Sequence, residues 1–468
     1  MINVFSFSGR KVAVFGLARS GLSAVAALKS GGAEIWAWDD NAESRNRLKE
    51  IGVEPVNLYN ADLGDVAALV VSPGVPLSHP QPHPVVVKAK QAGLEIIGDI
   101  ELLFRQQADA GFIGITGTNG KSTTTALLAH IMNVAGMVHA VGGNLGVPAL
   151  DLAPLQDGGV YVLEMSSYQL DLVSETTFDT AVLLNISPDH LDRHGGMQGY
   201  VASKCRVFDH FGRGQTTIIG IDDEHGKRLF EELKAEKDRN LLAVSGRGPV
   251  PGGVYVDDGC LIDDRDDDAR MVVSLREIVS LTGQHNAQNA AAAYAAAVVN
   301  GVSPADAAAG IKTFPGLEHR QELVAVIDGI AYVNDSKATN GEAAARALAC
   351  YGNIYWIAGG RAKEDGLGPT TPYLDHVCHT FLIGEAANDF SVELKGKVPC
   401  DLSGNLDKAT RDARDTALRE KHSDPVVLLS PAAASFDQFD DFEMRGNAFK
   451  EIVGTLPGER TFQKGGAA

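Results

Sequence analysis

Short apolar runs recur along the chain, and each is bounded by glycine, proline or polar residues. Runs of this length without strict alternation are typical of strands buried on both faces of a parallel sheet. They predict strands at residues 11–15, 33–38, 67–71, 112–115, 160–163, 181–186, 354–358 and 426–429. Apolar residues recur at helical spacing in the intervals, as at 126–132. The alternation of strands with helices predicts an α/β fold.

The order of these segments divides the chain into three predicted domains. A length of 468 residues suits about three domains at roughly 150 residues each. We expect a Rossmann-like domain at 1–99, a central domain with a parallel sheet and a small β part at 100–315, and a second Rossmann-like domain at 316–468. The segments that connect them are predicted at 92–109 and 314–320.

Some segments favour local structure of other kinds. Residues 325–333 predict a hairpin, because two β-rich stretches flank an Asp-Gly turn. Residues 215–280 predict short strands with acidic turns. The acidic run at 263–268 is interpreted as a solvated hairpin loop, since it lacks the glycine and the terminal glutamate of a calcium loop. Residues 463–468 are expected to be disordered.

Composition narrows the class of protein. Hydrophobic residues make up 44% of the chain without a long apolar run, so sizeable cores are possible and no membrane span is expected. The residues after Met1 lack the basic and apolar regions of a secretory signal. The 5 cysteines lack disulfide or metal spacing, which is typical of a reducing cytoplasm. A net charge of −19 argues against nucleic-acid binding, which needs a basic face.

A glycine-rich motif follows the predicted strand at 112–115, and it reads Gly114-Ile-Thr-Gly-Thr-Asn-Gly-Lys-Ser-Thr-Thr124. A strand, a glycine-rich turn and a helix start form a cradle in which backbone N–H groups and the helix dipole face an anion. Lys121 would contact terminal phosphates, and Ser122 would offer a hydroxyl to Mg²⁺. The match is imperfect, because the P-loop pattern has glycine where Ile115 stands. The alternative is an ordinary glycine-rich turn, although a Lys-Ser pair there has no packing purpose.

The strands of the first predicted domain also end in candidate ligand-binding turns. Gly16-Leu-Ala-Arg-Ser-Gly21 is similar to a dinucleotide-binding turn, except that Ala18 stands where the middle glycine belongs. Asp39 lies about where a ribose-binding acid is expected. Ser72-Pro-Gly74 follows the third strand, at the edge where ligands bind in open α/β sheets. NAD, another nucleotide and a purely structural turn all stay open at this point.

Further polar residues follow the strands of the central domain. Glu164 comes after one of them, and a carboxylate beside a P-loop strand is suited to holding Mg²⁺, although a lone glutamate is more often a loop acid. His190 belongs to the Asp-, His- and Arg-rich segment 187–194 and could ligate a metal, transfer a proton or be an ordinary surface residue. Lys204, on a helix predicted at 200–211, has no feature that singles it out.

Two other clusters are candidates for binding. Asn286 and Asn289 lie one helical turn apart, so they share a face and could read a base edge, whereas helix capping would explain one of them. In the third domain, three predicted strands are followed by the polar segments 334–340, 359–363 and 430–435. These segments carry lysine and hydroxyl side chains. Carboxyl ends of parallel strands meet at one edge of a sheet. Lysines at that edge suggest a substrate with a carboxylate.

These motifs together resemble the Mur ligases, which are ATP-dependent amide-forming enzymes of bacterial peptidoglycan synthesis. The motifs are Thr116-Gly-Thr-Asn-Gly-Lys-Ser122, Glu164-Met-Ser-Ser-Tyr-Gln169, Asn185-Ile-Ser-Pro-Asp-His-Leu-Asp-Arg-His194, Gly283-Gln-His-Asn286 and His319-Arg320. Residues 334–340 and 430–439 look like those of the branch that adds D-glutamate, and the Asp-Asn-Pro-Arg motif of the diaminopimelate-adding branch is missing. The resemblance spans nearly the whole chain.

For the first domain, the resemblance implies binding of the UDP part of a substrate rather than of NAD. One departure is Asn41, where some relatives have Arg. The residues that match uridine, diphosphate or sugar contacts are Arg19, Ser20, Asp39, Asp40, Ser72, Pro73, Gly74 and, from the central domain, Asn144.

For the central domain, the resemblance implies an ATPase with two Mg²⁺ ions. The matching ATP contacts are Gly117, Thr118, Asn119, Gly120, Lys121, Ser122, Thr123, Asn286, Asn289, Arg320 and Asp335. The matching metal ligands are Ser122, Glu164, His190 and Lys204, the last as a lysine N-carboxylated by CO₂. Carboxylation requires the amine to lose its proton, which burial favours. The implied catalytic residues are Lys121, Glu164, His190 and Lys204.

For the third domain, the resemblance implies amino-acid binding, and Lys337, Thr339, Lys363, Ser435 and Phe442 match positions that engage D-glutamate. It implies a cytoplasmic monomer that couples D-glutamate to UDP-N-acetylmuramoyl-L-alanine, with small-molecule partners and neither nucleic acid nor membrane. The third domain is expected to close over the central one, because an acyl phosphate must be shielded from water. The rival predictions are another Mur-type ligase or a folate polyglutamating ligase, an NAD-dependent dehydrogenase, and a non-catalytic nucleotide switch or scaffold protein.

Overall fold

The computed structural model describes residues 1–210, 214–236, 240–266, 268–362 and 366–463. The chain divides into two compact units. The first unit comprises Met1–Ile278 with Gln284–Phe314, and the second unit comprises Val279–Gly283 with Pro315–Ala468. Each of the three predicted domains contains one β-sheet, and the α/β class is confirmed. The exact domain boundaries stay a prediction.

The first sheet is parallel, and its strands lie in the order β2-β1-β3-β4. The strands are β1 (Lys11–Phe15), β2 (Glu34–Trp38), β3 (Val66–Val71) and β4 (Glu95–Ile97). The helices are α1 (Arg19–Ser30), α2 (Ala42–Asn46), α3 (Leu48–Ile51), α4 (Pro84–Gln91) and α5 (Asp99–Gln106). The segment 92–109, predicted as a connection, therefore supplies a strand and a helix.

The second sheet has the order β13-β12-β11-β10-β9-β8-β5-β7-β6. Its strands are β5 (Gly111–Thr116), β6 (His139–Gly143), β7 (Val160–Glu164), β8 (Thr180–Leu183), β9 (Thr216–Gly220), β10 (Asn240–Ser245), β11 (Val254–Asp257), β12 (Cys260–Asp263) and β13 (Arg270–Ser274). The strands from β6 to β11 in that order pair in parallel, and β11, β12 and β13 pair antiparallel. The antiparallel end is the small β part expected from the sequence.

The helices of this segment correct several sequence predictions. They are α6 (Lys121–Val134), α7 (Ser167–Leu170), α8 (Leu191–His194), α9 (Met197–Cys205), α10 (Glu224–Lys234), α11 (Gln284–Val299) and α12 (Pro304–Thr313), with short 3₁₀ turns at Ala149–Asp151 and Arg206–Phe208. The helix predicted at 200–211 ends at Cys205, and the strand predicted at 181–186 ends at Leu183.

Two predictions for 215–280 need correction. Helix α10 was missed, although Asp223 marks its start by accepting a hydrogen bond from the backbone N–H of Gly226 at 2.9 Å. The hairpin at the acidic run is confirmed by the antiparallel pairing of β12 with β13. Asp263 is not solvated, however, because its side chain is 13% exposed and accepts a hydrogen bond from the Tyr294 hydroxyl at 2.8 Å.

The third sheet has the order β18-β17-β16-β19-β15-β14-β20. Its strands are β14 (Glu322–Ile327), β15 (Ile330–Asn334), β16 (Ile354–Gly359), β17 (Val377–Ile383), β18 (Cys400–Gly404), β19 (Val426–Leu429) and β20 (Arg460–Gln463). The helices are α13 (Gly341–Leu348), α14 (Ala387–Leu394), α15 (Leu406–Glu420) and α16 (Phe442–Thr455), with 3₁₀ turns at Val279–Leu281 and Gly368–His376.

The ends of this sheet test two predictions. The hairpin of β14 and β15 is confirmed, and both turn residues, Asp328 and Gly329, have positive φ angles of 53° and 78°. Disorder from residue 463 is wrong at its first position, because Gln463 pairs with β14 as part of β20. Residues 464–468 lie outside the described part of the chain.

The chain regions that contain the first and the second sheet share one hydrophobic core within the first unit. Val14 and Leu28 from the first segment and Leu150, Leu163 and Phe178 from the second belong to a single buried cluster. Continuous apolar packing of this kind resists relative motion. Of the helices in the described ranges, none combines the length and the apolar character that crossing a bilayer requires.

Candidate functional site

The glycine-rich motif has the predicted strand, turn and helix order. β5 ends at Thr116 and α6 begins at Lys121. Gly117 and Gly120 have φ angles of 150° and 85°, which residues with a side chain rarely adopt, so the turn requires glycine at both positions. The N-terminus of α6, where the first N–H groups have no acceptor within the helix and the dipole end is positive, follows this turn. The geometry suits phosphate binding.

Two lysines converge on one carbonyl of this turn. The Nζ atoms of Lys121 and Lys204 lie 2.9 Å and 2.8 Å from the Gly117 carbonyl oxygen, to which both donate. Lys204 is 1% exposed, and burial, reinforced by the charge of Lys121, lowers the pKa of its ammonium group to about 7. Apart from the family resemblance, nothing in the sequence distinguishes Lys204 from other helical lysines. Its burial beside the turn is what makes its chemistry unusual.

Glu164 provides a carboxylate next to the turn. It is the last residue of β7, the strand beside β5, and it is 2% exposed. Oε1 accepts a hydrogen bond from the Asn144 side chain at 2.6 Å, whereas Oε2 is buried and has no hydrogen-bond partner among the described residues. An unpaired buried carboxylate oxygen is unfavourable unless a cation completes it. With the buried Ser122 hydroxyl at the start of α6, this donor set fits Mg²⁺.

His190 is placed differently. It has a positive φ of 51°, its side chain is 52% exposed, and its Nε2 lies 3.5 Å from the Asp189 carboxylate. Among the described residues, no three His, Cys, Asp or Glu side chains form a ready ligand cluster. Ser122, Glu164 and Lys204 therefore lie at the P-loop, and the His190 ring lies 5.2 Å from that of Tyr168.

The two asparagines of α11 lie against the P-loop. Asn289 is 2% exposed, accepts a hydrogen bond from the Thr124 hydroxyl at 3.3 Å and donates to Asn286 Oδ1 at 3.1 Å. A Cβ atom on Gly120 would lie 2.1 Å from Asn289 Oδ1, so the helix approaches the turn closely. Helix capping does not explain either residue, because α11 begins two residues before Asn286.

The candidate UDP-binding residues lie at the carboxyl ends of β1, β2 and β3. The Asp39 carboxylate accepts hydrogen bonds from the backbone N–H groups of Leu17 and Asn41 at 2.6 Å and 2.7 Å. The Ser72 hydroxyl donates to the Gly16 carbonyl at 2.7 Å. Both side chains hold the first turn in shape. Of the neighbouring candidates, Ser20 lies in the first turn of α1, and Pro73 and Gly74 form the turn after β3.

Arg19 and Asp40 contact residues that the sequence did not suggest. The Arg19 guanidinium donates to the Gly146 carbonyl, which connects α1 to the loop that carries Asn144. Asp40 accepts a hydrogen bond from the Tyr59 hydroxyl at 2.8 Å, and His83 Nε2 lies 3.2 Å from its other oxygen. No sequence motif marks Tyr59 or His83, since only folding brings them to the end of β2.

In the other unit, Asp335 lies at the end of β15, next to β19. It is 5% exposed, and it accepts hydrogen bonds from the Ser430 hydroxyl at 2.8 Å and the Gln321 N–H at 3.2 Å. Burial raises the pKa of its carboxyl group to about 7, although Ser430, Gln321 and the charge of Arg320 act in the opposite direction. The parallel pairing of β15, β19 and β16 confirms that their polar ends lie along one sheet edge.

The candidate glutamate-binding residues gather at this edge. Lys337 Nζ lies 5.3 Å from the centre of the Phe442 ring, Ser435 is buried, and Thr339 is half-buried beside Lys337. The fifth candidate, Lys363, lies outside the described residues.

Arg445 is a further buried residue at this edge, and no sequence motif marks it. It is 1% exposed and donates to the Ser336 hydroxyl and carbonyl at 3.0 Å and 2.9 Å and to the Ala433 carbonyl at 3.1 Å. Burial lowers the pKa of its guanidinium group to about 10. It thus joins the loops after β15 and β19, and an arginine in α16 carries no sequence signal of such a role.

Comparison with known proteins identifies the relatives of this chain. The family model for the Mur ligase middle domain matches residues 115–297, and the model for the Mur ligase MurD-like N-terminal domain matches residues 10–98. UDP-N-acetylmuramoylalanine–D-glutamate ligase of Caulobacter vibrioides is 49% identical over 97% of this chain and 98% of its own length. The enzyme of the same name from Paramagnetospirillum magneticum is 46% identical over 100% of both chains.

Solved structures of more distant proteins share the fold. UDP-N-acetylmuramate–alanine ligase of Thermotoga maritima superposes with a TM-score of 0.55 at 16% identity, covering 95% of this chain and 99% of its own. A pseudomurein peptide ligase type C of Methanothermus fervidus gives a TM-score of 0.55 at 17% identity, covering 96% and 100%. These likenesses support the α/β architecture of all three segments. The chain belongs to the Mur ligase family of ATP-dependent amide-forming ligases.

Proposed function

We propose that this chain joins D-glutamate to UDP-N-acetylmuramoyl-L-alanine, with conversion of ATP to ADP and phosphate. One observation carries the proposal. The P-loop, with Lys121 at the helix start, lies beside the buried Glu164 carboxylate, whose Oε2 has no hydrogen-bond partner among the described residues, in a chain 49% identical to ligases named for this reaction. We place the reaction in the cytoplasm and expect the chain to act as a monomer on small molecules.

The chemical problem is amide formation in water, where a carboxylate is a poor electrophile. The substrate carboxylate oxygen attacks the γ-phosphorus of ATP, and the bond to ADP breaks, which gives an acyl phosphate. The neutral amine of glutamate then attacks the carbonyl carbon. The tetrahedral intermediate expels phosphate and the nitrogen loses a proton, leaving the amide. Lys121 and the N–H groups at the start of α6 stabilise the charge on the moving phosphoryl group.

Ser122, Glu164 and His190 would hold Mg²⁺, which neutralises phosphate charge when it is bound. Around it, Asn144 orients the Glu164 carboxylate through its 2.6 Å hydrogen bond. Asn286 and Asn289 would read the adenine base from α11. Arg320 and Asp335 would contact the ribose and phosphates from the second unit.

Lys204 is proposed as the site of N-carboxylation. With a pKa of about 7, its amine is largely neutral above that pH, and only a neutral amine attacks CO₂. The new N–C bond gives a carbamate and releases a proton, so a cation becomes an anion. A carbamate there could help to hold a second Mg²⁺ beside the positive charge of Lys121.

The substrate ends are assigned by position. We place the UDP moiety at the first sheet edge, with Arg19, Ser20, Asp39, Asp40, residues 72–74 and Asn144. We place D-glutamate at the third sheet edge. Its proposed contacts there are Lys337, Thr339, Lys363, Ser435 and Phe442.

Phosphate release from ATP tests the function. We expect release that requires both UDP-N-acetylmuramoyl-L-alanine and D-glutamate, with amide product in equal amount. Lys121→Ala should lower release and product at least about 100-fold, because it removes the charge nearest the moving phosphoryl group. Lys408→Ala, an exposed lysine of the second unit, is the matched control and should leave the rate unchanged.

The same assay separates the rivals. A nucleotide switch would bind ATP without turnover that depends on the acceptor, and a folate polyglutamating ligase would require a folate in place of the UDP compound. A dehydrogenase would bind nicotinamide nucleotide instead. Full activity of Lys121→Ala would refute the assignment of the P-loop.

A further inference from the structure

The segment after β8 is hydrogen-bonded to the P-loop through Asn185. The Asn185 carbonyl accepts the Thr118 N–H at 2.8 Å, and the Asn185 side chain bonds both backbone groups of Asn119. Oδ1 accepts the Asn119 N–H at 2.9 Å, and Nδ2 donates to the Asn119 carbonyl at 3.1 Å. A carboxamide offers a donor and an acceptor side by side, so it can pair with one residue's N–H and C=O together.

The orientation of this carboxamide is set by a partly buried acid, Asp222. Asn185 Nδ2 also donates to Gln288 Oε1 at 3.1 Å, and Gln288 Nε2 donates to Asp222 Oδ2 at 3.0 Å. An ionised carboxylate can only accept, so Asp222 dictates which end of Gln288 faces it. Gln288 then presents its oxygen to Asn185, and Asn185 must present its nitrogen. Asp222 is itself held by the Ser245 hydroxyl at 2.7 Å.

This series of hydrogen-bonded side chains leads to two proposed ATP contacts, Asn289 and Gly120. Gln288 precedes Asn289, whose side chain packs on Gly120 and accepts from Thr124. The phosphate turn and the proposed adenine-reading helix are therefore tied together twice. We propose that Asn185 is a positioning residue that, aligned by Gln288 and Asp222, holds the P-loop in its phosphate-binding shape before ATP arrives.

This inference rests on the proposed function, because it assigns a task to a residue outside the proposed ATP contacts. Its physical basis is preorganisation. A loop already held in the bound conformation loses less conformational entropy when the phosphates dock. The clamp also uses the N–H groups of Thr118 and Asn119, so it fixes the backbone of the two residues in the middle of the turn.

Direct binding tests the inference. In Asn185→Ala, the Kd for a non-hydrolysable ATP analogue, measured by calorimetry, should rise roughly tenfold or more, since lost preorganisation weakens binding. The Kd for the UDP substrate should stay within about twofold of wild type. Hydrogen exchange at the Asn119 amide should accelerate at least about tenfold in the ligand-free protein, because its acceptor is gone.

A matched control separates positioning from general stability. Asn300 lies in the same unit and donates to the Thr180 hydroxyl at 2.9 Å and the Ala296 carbonyl at 2.7 Å. Asn300→Ala should keep wild-type ATP-analogue affinity and Asn119 exchange, even if it unfolds at a lower temperature. Asn185→Asp should weaken binding more than Asn185→Ala, because a carboxylate cannot donate to the Asn119 carbonyl and repels it.

Wild-type affinity and exchange in Asn185→Ala would overturn the inference. If that variant does not fold, Gln288→Ala is measured instead, and it should raise the Kd about threefold by removing the partner that orients Asn185. Wild-type binding by a folded Gln288→Ala would overturn the inference equally. A wild-type chain that binds no ATP analogue would instead refute the proposed function.

Discussion

At the scale of single residues, burial creates chemistry that the residue type does not announce. Lys204 and Asp335 are ordinary in the sequence, yet burial moves the pKa of each to about 7, the lysine from above and the aspartate from below. Arg445 is likewise buried where it joins two loops of the third sheet. These shifts arise because a charged group loses hydration inside the protein.

Carbamate formation at Lys204 should depend on pH in a defined direction. Below its pKa of about 7 the amine is protonated and unreactive toward CO₂, so labelling should increase as the pH rises from 6 to 8. With ¹³CO₂, we expect one carbamate signal in the ¹³C NMR spectrum of the wild type, and none in Lys204→Arg. A signal of equal intensity in Lys204→Arg would place the carbamate elsewhere.

Asp335 should make the stability of its surroundings depend on pH. Its pKa rises from 3.8 to about 7 on folding, so between these values the folded protein retains a proton that the unfolded chain loses. Its contribution to stability therefore falls as the pH rises from about 4 to 7 and is constant above. Relative to Asp335→Asn, the wild type should lose up to about 4 kcal/mol over this range.

Hydrogen exchange of the β15 and β19 amides measures this difference within the second unit. The control is Asp328→Asn, an aspartate of the same sheet whose pairing with Arg414 lies at the opposite end of β15. A stability difference between wild type and Asp335→Asn that does not change with pH would contradict the prediction.

At the scale of elements, hydrophobic pattern predicted many of the buried strands, but it missed strand β17 and the mostly charged helix α10. Strands such as β3, with the sequence Val-Ala-Ala-Leu-Val-Val, are apolar on both faces and are buried, so their sequence is nearly sufficient. Helix α10 is mostly charged and has few apolar positions, which is why its pattern was obscured. Its capping aspartate was the better signal.

Glu101 shows how one side chain attaches an element. From α5 it accepts the backbone N–H groups of Ser174 at 2.9 Å and Thr176 at 3.1 Å, and the Arg105 side chain at 2.8 Å. Burial alone would raise the pKa of Glu101, but these hydrogen bonds outweigh it and hold the pKa below its ordinary value. The helix that leads out of the first sheet is thereby fixed to a loop of the second.

Glu101→Gln should destabilise this junction by about 2–4 kcal/mol, because an amide cannot accept all these bonds with a full charge. The stabilisation by the carboxylate is present above its unfolded pKa, near 4.5, and is lost as the pH falls through the lower folded value. Urea unfolding at pH 7 measures the loss. Glu175→Gln, whose side chain is 70% exposed, should change stability little, and an equal loss in both variants would contradict the prediction.

At the scale of the whole molecule, the proposed reaction needs residues from both compact units. The P-loop belongs to the first unit, whereas Arg320, Asp335 and the proposed glutamate contacts belong to the second. An acyl phosphate hydrolyses readily, so closure that excludes water during the reaction stays a prediction. The first two segments share a core and are expected to move as one body.

Ligands should therefore compact the molecule. We expect the radius of gyration from solution scattering to fall when an ATP analogue and UDP-N-acetylmuramoyl-L-alanine are both bound. Lys121→Ala, which should bind the analogue weakly, should show a smaller change at the same concentrations. An unchanged radius of gyration in the wild type, at concentrations where calorimetry shows both ligands bound, would count against closure.

The sequence by itself determined the α/β class, the order of the sheets, the P-loop and the family. These features depend on residues that are consecutive in the chain, because an apolar run forms a strand buried on both faces and local glycines form the turns. The sequence did not reveal Tyr59, His83 or Arg445, nor the amide clamp of Asn185 and Gln288. Their partners lie tens to more than a hundred positions away. Only the tertiary structure decided these, along with the altered pKa of Lys204, because contact and burial depend on which distant segments pack together.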